Sequence, residues 1–308
     1  MTDAPHSPIT RVRHVGLGVP NYAEALDFYR NIWGLEVVTE TADTAFLATA
    51  ADPEQYVLRL RRDEIKRQDL IAFAAESTGA VDDLADRLGR SGVTVVREPG
   101  ALDTPGGGYG MRFFDLDGRL LEVSADVAEK PARPLERYES IPQKLSHVVI
   151  NSPSMLATKK FYEDHLGFRL TDWLGEVMCF MRVRSDHHVL AIAQGPYASI
   201  NHISFEMRGI DEFMRGTGRL IRAGYPQLWG PGRHSAGDNT FTYFTDRTGN
   251  VVEYTTELEE VDDDWVPRRF DTTPEVADQW GTAQGSIETI IPAMQNSRDD
   301  GLWTAPPI

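Results

Sequence analysis

The sequence predicts an α+β fold in which one domain is duplicated in tandem, each copy pairing two βαβββ modules into a curved half-barrel sheet with its helices outside. Two internal similarities predict the duplication. Residues 14–34 and 147–167 share a histidine, an aromatic pair and a glycine at a constant offset of 133 positions. Residues 113–123 and 243–254 share a glycine and a glutamate at an offset of 131 positions. Within each copy, strand-like alternation and helix-like spacing follow one another in the same order.

The first strand and helix of each copy follow from local patterns. Apolar residues alternate at 13–19 and 145–150, which predicts a strand. A helix follows in the first copy, because apolar residues recur every three to four positions. These residues are Ala25, Phe28, Tyr29 and Ile32. Gly34 and Gly167 stand where a glycine often ends a helix.

Further strands, a second helix and two closing strands complete each copy. The strands before the second helix are predicted at 36–40, 45–48 and 70–73, and at 169–173, 177–183, 189–193 and 202–207. The second helix is predicted at 81–91 and 210–223.

The repeat divides the chain into four parts. A first domain covers 1–128, a proline-rich linker 129–143, and a second domain 144–257. The tail at 258–308 has no counterpart in the first copy, and we expect it to act as a lid or a subunit contact.

Composition excludes several classes of protein. The 31 Lys and Arg against 47 Asp and Glu give a formal charge of −16, which disfavours nucleic acid and anionic membranes as partners. We expect no secretory signal and no membrane span, because long apolar segments are missing from the sequence. A single cysteine, Cys179, excludes an intrachain disulfide and a cysteine-based zinc site, and fits a reducing cytoplasm.

Three residues of the second copy form a candidate metal site. Strand alternation puts His147 on one face of its strand and His202 on one face of another. Glu253 lies in an apolar strand, where an unpaired buried carboxylate would be costly. If the three strands surround one cavity, two imidazoles and one carboxylate meet there. That set leaves three positions open on Fe(II).

The first copy has only part of this set. His14 and Glu122 occupy the first and third positions, but Leu70 stands where the second histidine would be. We therefore expect the first domain to be structural and without a metal.

These features resemble the vicinal oxygen chelate superfamily, and the second copy resembles the type I extradiol catechol dioxygenases within it. The strongest likeness is GPGRHSAGDNTFTYFTDRTGNVVEY at 230–254. The resemblance implies that His147, His202 and Glu253 bind Fe(II), or less often Mn(II).

The resemblance also implies roles for four further residues. His188 matches an acid–base histidine on a strand facing the open metal positions, and its neighbour His187 should point the opposite way. His234 matches a histidine near bound substrate and oxygen. Tyr243 matches a tyrosine that hydrogen-bonds the substrate hydroxyl, and Asp246 is expected to orient this network.

The predicted pocket is apolar. Its candidate residues are Trp173, Met178, Phe180, Trp229 and, from the tail, Trp280, whereas Phe241 fits core packing at least as well. Trp229 stands where relatives that act on carboxylated catechols tend to have arginine. We therefore expect an alkyl- or aryl-substituted catechol, unless Arg182 or Arg184 points inward.

The activity implied is insertion of both atoms of O2 into a substituted catechol, with cleavage of the ring adjacent to the diol. Such an enzyme would serve aromatic compound catabolism, and homo-oligomers are expected in the family. Two alternatives stay open at this stage. One is a metal-dependent isomerase like glyoxalase, which assembles its site from both modules, and the other is a metal-free ligand-sequestering module.

Overall fold

The computed structural model describes residues 7–299 and 301–305, which form two mixed β-sheets flanked by helices. The predicted α+β fold is confirmed. Positions 1–6 of the predicted first domain, and 300 and 306–308 of the predicted tail, lie outside the described residues. Within the described ranges, no helix is long and apolar enough to cross a membrane. The domain boundaries and the homo-oligomer stay predictions.

The first sheet has eight strands in the order β2-β3-β4-β1-β5-β8-β7-β6. The strands are β1 Ile9–Val19, β2 Glu36–Glu40, β3 Thr44–Ala48, β4 Leu58–Arg62, β5 Arg67–Ala75, β6 Val95–Ala101, β7 Tyr109–Phe114 and β8 Leu120–Ala125. The helices are α1 Tyr22–Asp27, continued by a π-helical turn at Phe28–Trp33, and α2 Thr78–Arg90.

The second sheet has nine strands in the order β14-β15-β16-β13-β9-β12-β11-β10-β17. The strands are β9 Lys144–Ser152, β10 Arg169–Leu174, β11 Met178–Arg182, β12 Leu190–Gln194, β13 Ser199–Glu206, β14 Trp229–Arg233, β15 Thr240–Thr245, β16 Val251–Thr256 and β17 Arg268–Phe270. The helices are α3 Met155–Leu166, α4 Gly209–Arg222, α5 Pro274–Ala277 and α6 Ile287–Gln295. The tail therefore adds one strand to this sheet, next to β10.

Two strand predictions were wrong. Each copy closes with three strands rather than two. The sequence pattern did not indicate the first of the three, β6 in one copy and β14 in the other. Both contain glycine and proline, and both lie at a sheet edge, where a missing N–H is tolerated. Strand β4 was also missed, since three of its five residues are arginine. Two of them, Arg59 and Arg61, pair with buried Asp69, which permits these charges inside.

The first helices end as predicted. Gly34 and Gly167 have φ values of 98° and 70°, the left-handed conformation that glycine adopts without strain. The first helix widens into a π-helical turn, in which residues five positions apart share a face. Phe28 and Trp33 are such a pair, with ring centroids 5.7 Å apart in the buried core.

The two copies exchange equivalent hydrogen bonds across their contact. Tyr29 donates to Asp246 at 3.0 Å, and its repeat partner Tyr162 donates to Asp115 at 3.2 Å. Trp33 of the first copy stacks on Tyr254 of the second at 3.9 Å between centroids. The first helix of each copy is therefore anchored on the other copy.

Candidate metal centre

Three adjacent strands of the second sheet bring the candidate ligands together. The register pairs Ser204 of β13 with His147 of β9 on one side and with Glu253 of β16 on the other. His202 lies two residues before Ser204, on the same face of β13. One ligand atom from each of His147, His202 and Glu253 lies within 4.8 Å of the others, and all three side chains are buried.

The donor set fits a divalent cation. His202 Nε2 and both oxygens of Glu253 are buried without a hydrogen-bond partner among the described residues. The Nε2 atoms of His147 and His202 lie 3.1 and 3.4 Å from Glu253 Oε2. His202 Nδ1 donates to the amide oxygen of Asn201 at 2.7 Å, which leaves Nε2 unprotonated and free to coordinate. A bound cation would satisfy these atoms at once.

The charges at the site agree with this assignment. Although burial raises the pKa of the Glu253 carboxyl, His147 and His202 hold it well below its ordinary value. Burial lowers the pKa of His202. A carboxylate and a neutral imidazole are the forms that bind metals.

The first copy has an incomplete ligand set at the equivalent position. His14, Ala72 and Glu122 stand in the same register as His147, Ser204 and Glu253, and Leu70 takes the place of His202. Arg112, opposite Glu122 as Tyr243 is opposite Glu253, binds that carboxylate at 2.8 Å. The Glu122 carboxylate is therefore paired with a cation of the chain itself.

We expect the Leu70→His variant to gain no second metal. Arg112 would still neutralise Glu122, and the new imidazole would lie in an apolar cluster with Phe114 and Leu120. Burying it there should cost about 1–3 kcal/mol of unfolding free energy. Metal analysis of the purified variant should give the wild-type stoichiometry, and a second equivalent would contradict this account.

His188 lies beside the ligands, but not on a strand as expected. It occupies the loop before β12, and its ring centroid lies 4.3 Å from that of His147. Burial, followed by His147 and other nearby imidazoles, lowers the pKa of His188 well below its usual value. His188 lines the cavity described below and His187 does not, but both lie in a loop, so strand alternation is not the reason. His187 Nδ1 lies 2.9 Å from His188 Nδ1.

His234 and Tyr243 lie on another side of the site. His234 Nε2 is 3.0 Å from the Tyr243 hydroxyl, and its Nδ1 is 2.8 Å from the backbone oxygen of Ala277 in the tail. The Tyr243 ring lies 5.2 Å from that of His202. Asp246 does not join this group, since it accepts its hydrogen bonds from Tyr29 and from its own turn.

A cavity of about 510 Å³ opens onto these residues. Met178, Phe180 and Trp229 line it as predicted pocket residues, whereas Trp173 and Trp280 do not. The tail expected to act as a lid or a subunit contact lines the cavity, with residues that the sequence did not single out, among them Ile287, Ile291 and Met294. The lining residues include no lysine or arginine, and neither Arg182 nor Arg184 reaches the cavity.

Known proteins resemble the chain over most of its length. Residues 11–123 and 144–254 match the model of the Glyoxalase/Bleomycin resistance protein/Dioxygenase superfamily. Metapyrocatechase 2 from Cupriavidus necator is 30% identical over 83% of each chain. The manganese-dependent 2,3-dihydroxybiphenyl 1,2-dioxygenase of Geobacillus genomosp. 3 is 26% identical over 77% of this chain and 82% of its own. The crystal structure of a Mn(II)-bound glyoxalase from Novosphingobium aromaticivorans is 44% identical, with a TM-score of 0.93 over 97% of this chain and 99% of its own.

Proposed function

The chain belongs to the Glyoxalase/Bleomycin resistance protein/Dioxygenase superfamily and, within it, to the extradiol catechol dioxygenases, and we propose that it opens the ring of an apolar-substituted catechol beside the diol. Both atoms of O2 enter the product, a ring-opened semialdehyde or related muconate. One observation carries the proposal. A buried His147–His202–Glu253 set with unsatisfied donor atoms lies on the same cavity as His188, His234 and Tyr243.

The proposed cofactor is Fe(II), held by His147, His202 and Glu253. Two imidazoles and one carboxylate are the usual donor set for Fe(II) in oxygenases. Mn(II) is the alternative, supported by two relatives whose names include manganese. When bound, the metal would bring catechol and O2 to one centre and supply the redox chemistry.

The surrounding side chains handle protons and hydrogen bonds. His188 is buried and its pKa is low, so its neutral ring accepts a proton from a substrate hydroxyl and returns a proton as the ring opens. Tyr243 and His234 share a hydrogen bond, and from that pair they stabilise negative charge that develops on substrate oxygen.

The cavity indicates the substituent. Its charged lining residues are Glu253, already assigned to the metal, and Glu288. A carboxylated catechol would therefore bury its charge without a cationic partner, which is costly. Apolar side chains such as Phe180, Trp229 and Ile291 instead favour an alkyl or aryl group.

A metal-dependent isomerase is the second candidate, because a 44% identical structure is called a glyoxalase. The donors of this chain come from one copy, and its first copy blocks the equivalent position with Arg112. His188, His234 and Tyr243 also line the cavity, and ring cleavage has a use for each of them. Oxygen consumption separates the candidates, since an isomerase uses none.

We expect the Fe(II)-reconstituted protein to consume one O2 per molecule of 3-alkyl- or 3-arylcatechol and to form a yellow ring-opened product. The value of kcat/KM should exceed that for a carboxymethyl-substituted catechol by about 100-fold, given the unpaired buried charge. An oxygen electrode and absorbance spectra measure both. A preference for the carboxylated substrate would contradict the substrate assignment, and no oxygen uptake with any catechol would contradict the activity.

A further inference from the structure

Behind His188, a line of buried polar groups leads away from the cavity. His188 Nδ1 lies 2.9 Å from His187 Nδ1, and His187 Nε2 lies 2.8 Å from Asp172 Oδ2. His187 and Asp172 are completely inaccessible to solvent. Since His188 uses Nδ1 for this contact, Nε2 is the ring nitrogen left to face the cavity that His188 lines.

This line of polar groups ends at a residue of the tail. Arg268 of β17 stands opposite Asp172 of β10, and its backbone N–H donates to Asp172 Oδ1 at 2.7 Å. Its Nε and Nη2 donate to Oδ2 at 3.0 and 2.7 Å. The guanidinium carbon also lies over the rings of Trp265 and Phe270, 4.3 and 5.1 Å from their centroids. Asp172 is thus held as a carboxylate by a fixed cation.

These contacts select one tautomer for each histidine. The Asp172 carboxylate can only accept, so His187 carries a proton on Nε2. Arg268 supplies the cation for the buried Asp172 carboxylate and also reaches the partly exposed Glu259 at 2.6 Å, so Asp172 is already paired when His187 carries only its Nε2 proton and its Nδ1 is bare. The short contact between the two Nδ1 atoms then requires His188 to donate from Nδ1. His188 Nε2 is left bare toward the cavity.

The first copy, which lacks the complete ligand set, also lacks this line of polar groups. Strand register places Tyr56 at the position of His188, which puts Gln55 at the position of His187. Thr39 takes the place of Asp172, and no tail strand pairs with β2 in the described part of the first sheet. Of the two copies, as far as the described residues go, the second alone has the histidine pair and its carboxylate, and there they lie beside the candidate metal centre.

We propose that Arg268, Asp172 and His187 are positioning residues that keep His188 in the tautomer with a bare Nε2, ready to accept a proton from the substrate. The inference rests on the proposed function for the proton transfer, but the tautomer is a property of the protein alone. Without Arg268, no cation fixes the Asp172 carboxylate against His187 Nε2, so the single proton of His187 can move to Nδ1. The Nδ1–H of His187 then donates to His188, whose own proton moves to Nε2 and blocks the base.

The test compares Arg268→Gln with Arg269→Gln in the full chain. Arg269 is the next residue of β17, and its guanidinium contacts Gly175 and the Trp173 ring rather than Asp172. Nitrogen-15 NMR of histidine-labelled protein loaded with diamagnetic Zn(II) reports which nitrogen of His188 carries the proton. Wild type and Arg269→Gln should show Nδ1–H, and Arg268→Gln should show Nε2–H.

Kinetics of the Fe(II) enzyme provide the second measurement. We expect Arg268→Gln to lose about 100-fold in kcat, with KM for catechol and metal content within about twofold of wild type. Arg268→Lys keeps the charge and should recover most of kcat. If Arg268→Gln does not fold, Asp172→Asn serves, since it removes the reason for His187 to hold its proton on Nε2 and should give mixed His188 tautomers.

An unchanged Nδ1–H tautomer in Arg268→Gln or Asp172→Asn would overturn the inference, as would equal losses in the Arg268→Gln and Arg269→Gln variants. Failure of the proposed function gives a different result. In that case wild type would cleave no catechol, whatever the NMR shows for His188.

Discussion

The His202→Ala variant is expected to purify without bound metal and to show no ring cleavage. It keeps two donors, His147 and Glu253, where three adjacent strands supply three in the native site. Two donors do not hold a divalent ion against solvent and chelators, so we expect metal content below about a tenth of wild type. Turnover should fall by at least about 1,000-fold, because the reaction depends on the metal.

Metal analysis and thermal unfolding test this result independently of activity. Metal that binds only the folded state raises Tm, so added Fe(II) should stabilise wild type and leave His202→Ala unchanged. His14→Ala is the matched control, because His14 is a buried histidine at the equivalent position to His147 in the first copy. It should bind metal normally. An active, metal-loaded His202→Ala variant would remove His202 from the site.

The ligand set could be proposed from sequence because the repeat carries positional information. Equivalent strands in a duplicated fold present equivalent faces, so two sequence blocks of one chain align the ligand positions. The strand register of the structure shows which positions of the two copies correspond, with Leu70 at the place of His202 and Arg112 at the place of Tyr243. The same information placed the helix ends at Gly34 and Gly167.

The contacts made by the tail could not be predicted in this way. The tail has no repeat partner, and its contacts with Asp172 and His234 join residues 96 and 43 positions apart. Periodicity describes neighbours within an element and carries no information on such pairs. Strand alternation also gave no means of predicting the contact between His187 and His188, whose Nδ1 atoms lie 2.9 Å apart in a loop.

The His188→Phe variant should keep its metal and bind catechol, yet lose most of its turnover. Phenylalanine fills similar space, and the ring it replaces packs against Phe180 and His147 at 5.1 and 4.3 Å between centroids. The metal donors are untouched, so the variant should match wild type in metal content. What it loses is the only ring nitrogen that His188 presents to the cavity.

A loss confined to kcat identifies a group that acts on the reaction rather than on binding. General acid–base catalysis contributes about 100- to 10,000-fold, and we expect kcat of His188→Phe to fall by that factor while KM stays within about threefold. Anaerobic titration with catechol measures binding separately from turnover. Tyr243→Phe offers a graded comparison, since it removes one hydroxyl from the cavity and leaves the His188 ring in place. Normal kcat in His188→Phe would remove His188 from the mechanism, and loss of metal would show instead that its ring supports the ligand His147.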